Sequence, residues 1–266
     1  MKRFIAIFLI LLSAVSLASG CQKPVEPDDP PIVDIYTPVP YATPVPTPEL
    51  TMPVSPTSEP PATDTPDPTA TPYQADPTVF DDAVFIGNSI LHGLFSYGII
   101  THGKFLTKTS LNVNSVFTSY IDGSSVPVID ELNSGRYGKV ILCFGTNELG
   151  WPSLSVFSEK YEKLIDAIRQ RQPGCKIYIL EVLPVSKAKS DKNENGVTLE
   201  NVKRINEVIR VLCEAKDVTL IKVPESFYDS EGYLPADASS DGVHPKLDYY
   251  RVWAEHICLW IMGVRQ

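Results

Sequence analysis

The stretch FIGNSILHG, residues 85–93, decides how the chain is read. An apolar run ending at Ile86 stops at Gly87-Asn88-Ser89 and resumes through Ile90, Leu91 and Leu94 with helical spacing. A strand that turns sharply into a helix leaves a side chain exposed at the turn, beside the unpaired amides of the first helical turn. Ser89 stands at that turn. Two local readings compete. Asn88 or Ser89 is a helix N-cap, since both residue types offer a side-chain acceptor to those amides, or Ser89 carries chemistry.

Working outward, apolar strand-like runs recur at 83–87, 139–144, 176–183 and 218–223, with a weaker one near 104–108. They are nearly continuous rather than alternating, the pattern of parallel strands covered on both faces. Helical patterns separate them. Phe157, Tyr161, Leu164, Ile165 and Ile168 share one helical face, and Leu199, Val202, Ile205, Ile209 and Leu212 share another. Strands alternating with helices predict a three-layer α/β/α domain with a parallel central sheet. Sites in such sheets lie beyond the carboxyl ends of strands, where Ser89 and the segment Gly145-Thr146-Asn147-Glu148 fall.

Residues 79–266 suffice for one domain with a substantial core. Its cysteines, Cys143, Cys175, Cys213 and Cys258, are widely spaced in apolar contexts and read as free and buried, although an exported location would permit a disulfide. The preceding residues differ in kind. Residues 1–20 combine Lys2 and Arg3, the apolar run FIAIFLILLSAVSLA and a small-residue exit, as in an export signal. Ala18-Ser19-Gly20-Cys21 resembles a bacterial lipobox, with Ala18 where Leu is commonest, and makes Cys21 the expected lipid anchor. An ordinary secretory cleavage site is the alternative. Residues 21–78 hold 17 of the 24 prolines, in Thr-Pro, Val-Pro and Pro-Thr units that exclude helix and interior strand. This Pro/Thr-rich tether would reach on the order of 150 Å if fully extended. The expected location is the outer face of a bacterial membrane, lipid-anchored, within a thick wall of Gram-positive type.

After Lys23 the tether's charges are all acidic, so it carries nearly all of the formal charge of −9 and leaves the domain close to balanced. A nucleic-acid partner would call for a basic face, and none is legible. Neither H-E-x-x-H nor clustered Cys/His spacing occurs, so no metal site is expected.

Near the carboxyl terminus SSDGVHP places Asp241 three residues before His244, ahead of a closing helix over about 247–262. A loop folding the carboxylate back onto the imidazole would direct the other ring nitrogen at a serine. Alternatively, Asp241 caps a turn and His244 is solvated. His92 and His102 lack a nearby acid in a comparable loop, and His256 lies within a helix.

Taken together, FIGNS, CFGTNELG and DGVHP, in that order, resemble the SGNH or GDSL family of serine hydrolases over essentially the whole folded part. The resemblance implies a flavodoxin-like α/β/α fold, Ser89 as nucleophile, His244 as general base, Asp241 as its orienter and no cofactor. It also implies an oxyanion hole of the Ser89 amide, a second amide at the family's Gly, and the Asn147 side chain; spacing alone would equally allow Asn147 to be a turn residue. The family's usual Asp is replaced here by Asn88, and its Gly corresponds to Ser110 in KTSLNVNS. A left-handed backbone at Ser110 would cost roughly 1 to 2 kcal/mol. The elbow Gly87-Asn88-Ser89-Ile90-Leu91 is not the G-x-S-x-G of α/β-hydrolases. The expected activity is hydrolysis of small acyl, chiefly acetyl, esters, with an acylated polysaccharide as candidate substrate and Trp151, Tyr249 and Tyr250 as either glycan contacts or, equally, core packing. A glycan-binding module that has lost turnover through Asn88 and Ser110, and a lipase or thioesterase for long acyl chains, are the competing readings.

Overall fold

A computed structural model describes residues 75–264. The export signal, Cys21 and nearly all of the tether lie outside the described residues. Described structure begins slightly before the expected domain start: Asp76 caps a 3-10 turn, Pro77–Phe80, and the Cys258 thiol donates to the Asp76 carbonyl at 3.2 Å.

Five strands, β1 (Ala83–Gly87), β2 (Lys104–Thr107), β3 (Lys139–Cys143), β4 (Lys176–Leu180) and β5 (Thr219–Ile221), form one sheet in the order β2-β1-β3-β4-β5. All four pairings are parallel. The helices are α1 (Ser89–Ser96), α2 (Leu154–Arg171), α3 (Lys187–Lys192), α4 (Leu199–Lys216) and α5 (Leu247–Ile261).

The continuous apolar runs follow from burial on both faces, and the two-residue period of the strand sorts them into two cores. Val84, Ile86, Val140, Leu142, Ile177 and Ile179 pack beneath α2 and α4, against Phe157, Tyr161, Leu164, Val202, Ile205 and Ile209. Phe85, Ile141, Tyr178, Leu180 and Ile221 face α1 and α5, against Leu91, Leu94, Trp253 and Ile257. This is the three-layer arrangement expected from the alternation of elements. The four domain cysteines are free; Cys143, Cys213 and Cys258 are buried and Cys175 is half-buried.

The register aligns the strand ends that matter. Gly87 is paired with Thr107 on one side and Cys143 on the other. Ser89, Ser110 and Asn147 therefore leave neighbouring strands within a few residues of one another, at the same edge of the sheet.

Candidate active site

The turn after β1 separates the two roles that sequence left in competition. Asn88 is the N-cap, with extended backbone (φ −88°, ψ −164°), and its Oδ1 accepts the Ile90 amide at 3.0 Å. Ser89 is the first helical residue. Its hydroxyl is not used for capping and donates to His244 Nε2 at 2.9 Å. Asn88 is wholly buried, and its Nδ2 has no hydrogen-bond partner among the described residues. The Tyr250 hydroxyl of α5 donates to the Ile90 carbonyl at 3.0 Å, and Gly93 permits this approach, since a Cβ there would lie 2.2 Å from that hydroxyl. Contact between α1 and α5 thus fixes the start of α1 relative to the loop that carries His244.

That loop is organised by one carboxylate. Asp241 Oδ1 accepts the amides of Val243 (2.9 Å) and His244 (2.8 Å) and the Ser239 hydroxyl (3.0 Å). Its Oδ2 lies 2.6 Å from His244 Nδ1. An imidazole donating from Nδ1 to the carboxylate presents a lone pair at Nε2 toward Ser89. Burial disfavours the Asp241 charge, but the His244 amide and imidazole, the Val243 amide and the Ser239 hydroxyl outweigh it and hold the carboxyl well below the ordinary carboxylate range. The Ser186 amide, just before α3, donates to the Gly242 carbonyl at 2.9 Å and ties this loop to the segment after β4.

The other two loops leave β2 and β3, the strands that flank β1, and bond to each other. Ser110 adopts the left-handed conformation at φ 63°, the backbone position that favours the family's Gly. Asn147, on a short 3-10 turn after β3, donates one Nδ2 hydrogen to the Leu111 carbonyl at 2.8 Å. Gly145 precedes that turn at φ 118°, where a Cβ would come within 2.4 Å of Val182. Glu148, which the sequence reading assigned no role, is 1% exposed and spans both loops: Oε1 accepts the Val113 amide and Oε2 the Gly145 amide, each at 2.9 Å. Burial pushes its carboxyl up to about 7, with the Val113, Gly145, Glu148 and Asn147 amides opposing the shift. An acid between Asn147 and Leu149, inside an otherwise uncharged loop, was the available signal.

One expectation needs correction. His102 does have an acid partner, Asp81, at 2.5 Å. Both residues precede strands β1 and β2, so this pair lies at the opposite edge of the sheet from Ser89. Of the two alternatives for Tyr250, glycan contact or core packing, the structure selects the second: it is buried, with its hydroxyl bonded to α1. Trp151 and Tyr249 are half-buried, edge-on to Phe157 and Phe227 respectively. His92 Nδ1 lies 2.9 Å from the Thr107 hydroxyl, and His256 Nε2 lies 2.9 Å from the Lys222 carbonyl. Among the described residues, no group of three or more His, Cys, Asp or Glu is placed to hold a metal ion.

A hydroxyl, an imidazole and a carboxylate hydrogen-bonded in series at the carboxyl edge of a parallel sheet have the geometry of a serine hydrolase. The chain belongs to the GDSL-like lipase/acylhydrolase family, whose profile matches residues 85–252. No curated protein matches it. Among solved structures, it is similar to a GDSL-like lipase from Bacteroides thetaiotaomicron, with 13% identity, 73% of this chain and 93% of that one covered, and a TM-score of 0.51. A protein of Slackia heliotrinireducens assigned to the SGNH hydrolases is 16% identical over 68% of this chain and 98% of its own, with a TM-score of 0.54. A protein of Streptococcus pneumonia, described as a platelet activating factor, is 19% identical over 68% and 84%, with a TM-score of 0.55. At these identities the likeness is one of fold, and function must be argued from the site.

Proposed function

We propose that this chain is a serine esterase that hydrolyses small acyl esters, acetyl in the simplest case, through an acyl-Ser89 intermediate. The observation that carries the reading is the continuous relay from Ser89 Oγ through His244 to Asp241. As Ser89 Oγ bonds to the ester carbonyl carbon, its proton passes to His244 Nε2 and the carbonyl electron pair moves onto oxygen. Asp241 remains ionised and stabilises the imidazolium. The amides of Ser89 and Ser110 and the second Nδ2 hydrogen of Asn147 receive the oxyanion, each well-placed donor contributing roughly 3 to 4 kcal/mol. Collapse breaks the bond to the leaving oxygen, which takes the proton from His244. Water then repeats the sequence on the acyl-enzyme, releasing the acid and regenerating Ser89.

The short acyl group is supported by the lack, among the cavities of the described residues, of an apolar one lined by Ser89 or His244. A cavity of about 590 Å³ reaches Asp241 but not Ser89 or His244, and is lined by Lys187, Lys189, Asp229, Ser239 and Ser240 among others. An apolar cavity of about 270 Å³ lies between Pro77, Ile99 and Ala254, and neither Ser89 nor His244 lines it. A long acyl chain would require apolar wall at the nucleophile itself. The wall or extracellular glycan as acceptor, and a lipid anchor at Cys21 behind the Pro/Thr-rich tether, complete the proposal. They rest on the composition of residues 1–78.

Fluorophosphonate labelling with adduct mapping, together with p-nitrophenyl esters of two to eight carbons, tests the reading. Adduct on Ser89, loss of labelling and hydrolysis in Ser89→Ala, and a specificity constant falling with chain length are expected. Full esterase activity in Ser89→Ala would refute the nucleophile, and a rising series would favour a lipase. Cys21→Ala should release the protein from the membrane fraction of a bacterial host; unchanged retention would refute the anchor.

A further inference from the structure

Glu148 is a carboxylate in the core of the site, yet the proposed reaction assigns it no step. Burying a carboxyl group is costly unless its oxygens are satisfied. Here both are, by the amides of Val113 and Gly145, which belong to different loops. No cation is among the groups that set its ionisation. Cys143 of β3 and Tyr161 of α2 face it electrostatically, and burial raises both, Cys143 to about 12 and Tyr161 well above the ordinary tyrosine value. Near neutral pH these two neighbours are uncharged, so Glu148 answers chiefly to its burial, which raises it, and then to the amides that oppose the shift.

Val113 lies three residues after Ser110, and Gly145 two residues before Asn147. The Asn147 side chain makes the reciprocal cross-link, to the Leu111 carbonyl. Two hydrogen bonds therefore join the two loops that carry the donors proposed for the oxyanion, and the Gly145 amide holds the Glu148 carboxylate within its own turn. We infer that Glu148 is a positioning residue for the oxyanion hole: without touching substrate, it holds the Ser110 amide and the Asn147 side chain at the separation the tetrahedral intermediate needs. This inference rests on the acyl-Ser89 reading. A fixed hole stabilises the transition state more than the bound ester, because the donors are aimed where charge develops rather than at the ground-state carbonyl. Loosening it should lower kcat and leave KM nearly unchanged.

Glu148→Gln is the discriminating variant. It preserves side-chain volume, but its Nε2 must face a backbone N–H, so one of the two bonds becomes a donor–donor contact. With p-nitrophenyl acetate, kcat should fall about 10- to 100-fold, a fraction of the roughly 10²- to 10³-fold loss on removing an oxyanion donor outright. KM should stay within about threefold, and the inhibition constant of a trifluoromethyl ketone should rise by the factor by which kcat/KM falls. In the wild type, the Val113 and Gly145 amide resonances should titrate together near pH 7; in Glu148→Gln they should not. Glu148→Asp, which keeps the charge but shortens the reach, supplies the same kcat-against-KM test if the Gln variant does not fold. A folded Gln variant with wild-type kcat, or one that raises KM alone, would overturn the positioning role while leaving the esterase reading intact. A wild-type protein that neither labels at Ser89 nor hydrolyses esters would sink the esterase reading itself, and this inference with it.

Discussion

Replacing Asp241 by Asn exploits the division of labour between the two carboxylate oxygens. Oδ1 accepts three bonds within the loop, from Val243 N, His244 N and Ser239 Oγ, whereas Oδ2 faces only His244 Nδ1. An asparagine has one acceptor oxygen and one NH2 group. Turning the NH2 toward the loop would set the Val243 and His244 amides against it and oblige the Ser239 hydroxyl to turn, losing about 0.5 to 1.5 kcal/mol for each bond broken. The amide oxygen must therefore take the loop side and the NH2 must face the imidazole. His244 is then forced to accept at Nδ1 and carry its hydrogen at Nε2, pointed at Ser89, where a lone pair is needed. In serine proteases the equivalent change of tautomer lowers kcat by about 10⁴, or roughly 5 kcal/mol of barrier, and a loss of that order is expected here. Stability should change little, by about 1 kcal/mol, because the three loop bonds survive. Asp241→Ala, by contrast, should lose both activity and loop order. Steady-state hydrolysis of p-nitrophenyl acetate alongside urea denaturation reads both quantities. An Asn variant within tenfold of wild-type kcat would refute the tautomer argument.

Asn88→Asp should change turnover by less than about tenfold, near 1.4 kcal/mol, because Asn88 caps α1 and Asp241 already partners His244. A rise of orders of magnitude from a nearly inactive wild type would mark position 88 as a disabling lesion and favour the binding module. Ser110→Gly relieves a left-handed conformation costing roughly 1 to 2 kcal/mol, partly offset by about 0.5 to 1 kcal/mol of added unfolded-state entropy. Its urea midpoint should therefore stay level or rise slightly with kcat preserved, and a clear loss of stability would contradict the backbone assignment. The two perturbed carboxyls act on stability at different pH. Asp241 is depressed in the fold, so its contribution is present above about pH 4 and is lost as pH falls below its unfolded value. Glu148 is raised from 4.5 to about 7, so its contribution is full below pH 4.5 and is lost as pH rises toward 7. That loss is roughly 3 kcal/mol in size, and Glu148→Gln should flatten stability over this window; an unchanged profile would show that Glu148 ionises normally.

The layered fold was legible because burial imposes periods that a linear sequence preserves. Continuous apolar runs marked strands covered on both faces, and the three- and four-residue spacing of Phe157 to Ile168 and Leu199 to Leu212 marked the helices that cover one of them. With parallel strands given, Ser89 and Asn147 had to emerge near strand ends, whereas the Asp241–His244 pair lies well beyond β5 and was legible from its short Asp-x-x-His spacing, which suited a local turn. Where partners are distant in sequence, pattern carried no information. Asn88, rather than Ser89, is the cap, a matter of backbone angles at two adjacent residues. Tyr250 is buried while the adjoining Tyr249 is half-exposed, because successive residues on α5 point about 100° apart and only packing against Gly93 selects between them. His102 finds Asp81 across 21 residues, and Glu148 finds Val113 across 35. Such contacts depend on which strands lie side by side and how two loops cross, and those are properties of the assembled sheet rather than of any local stretch of chain.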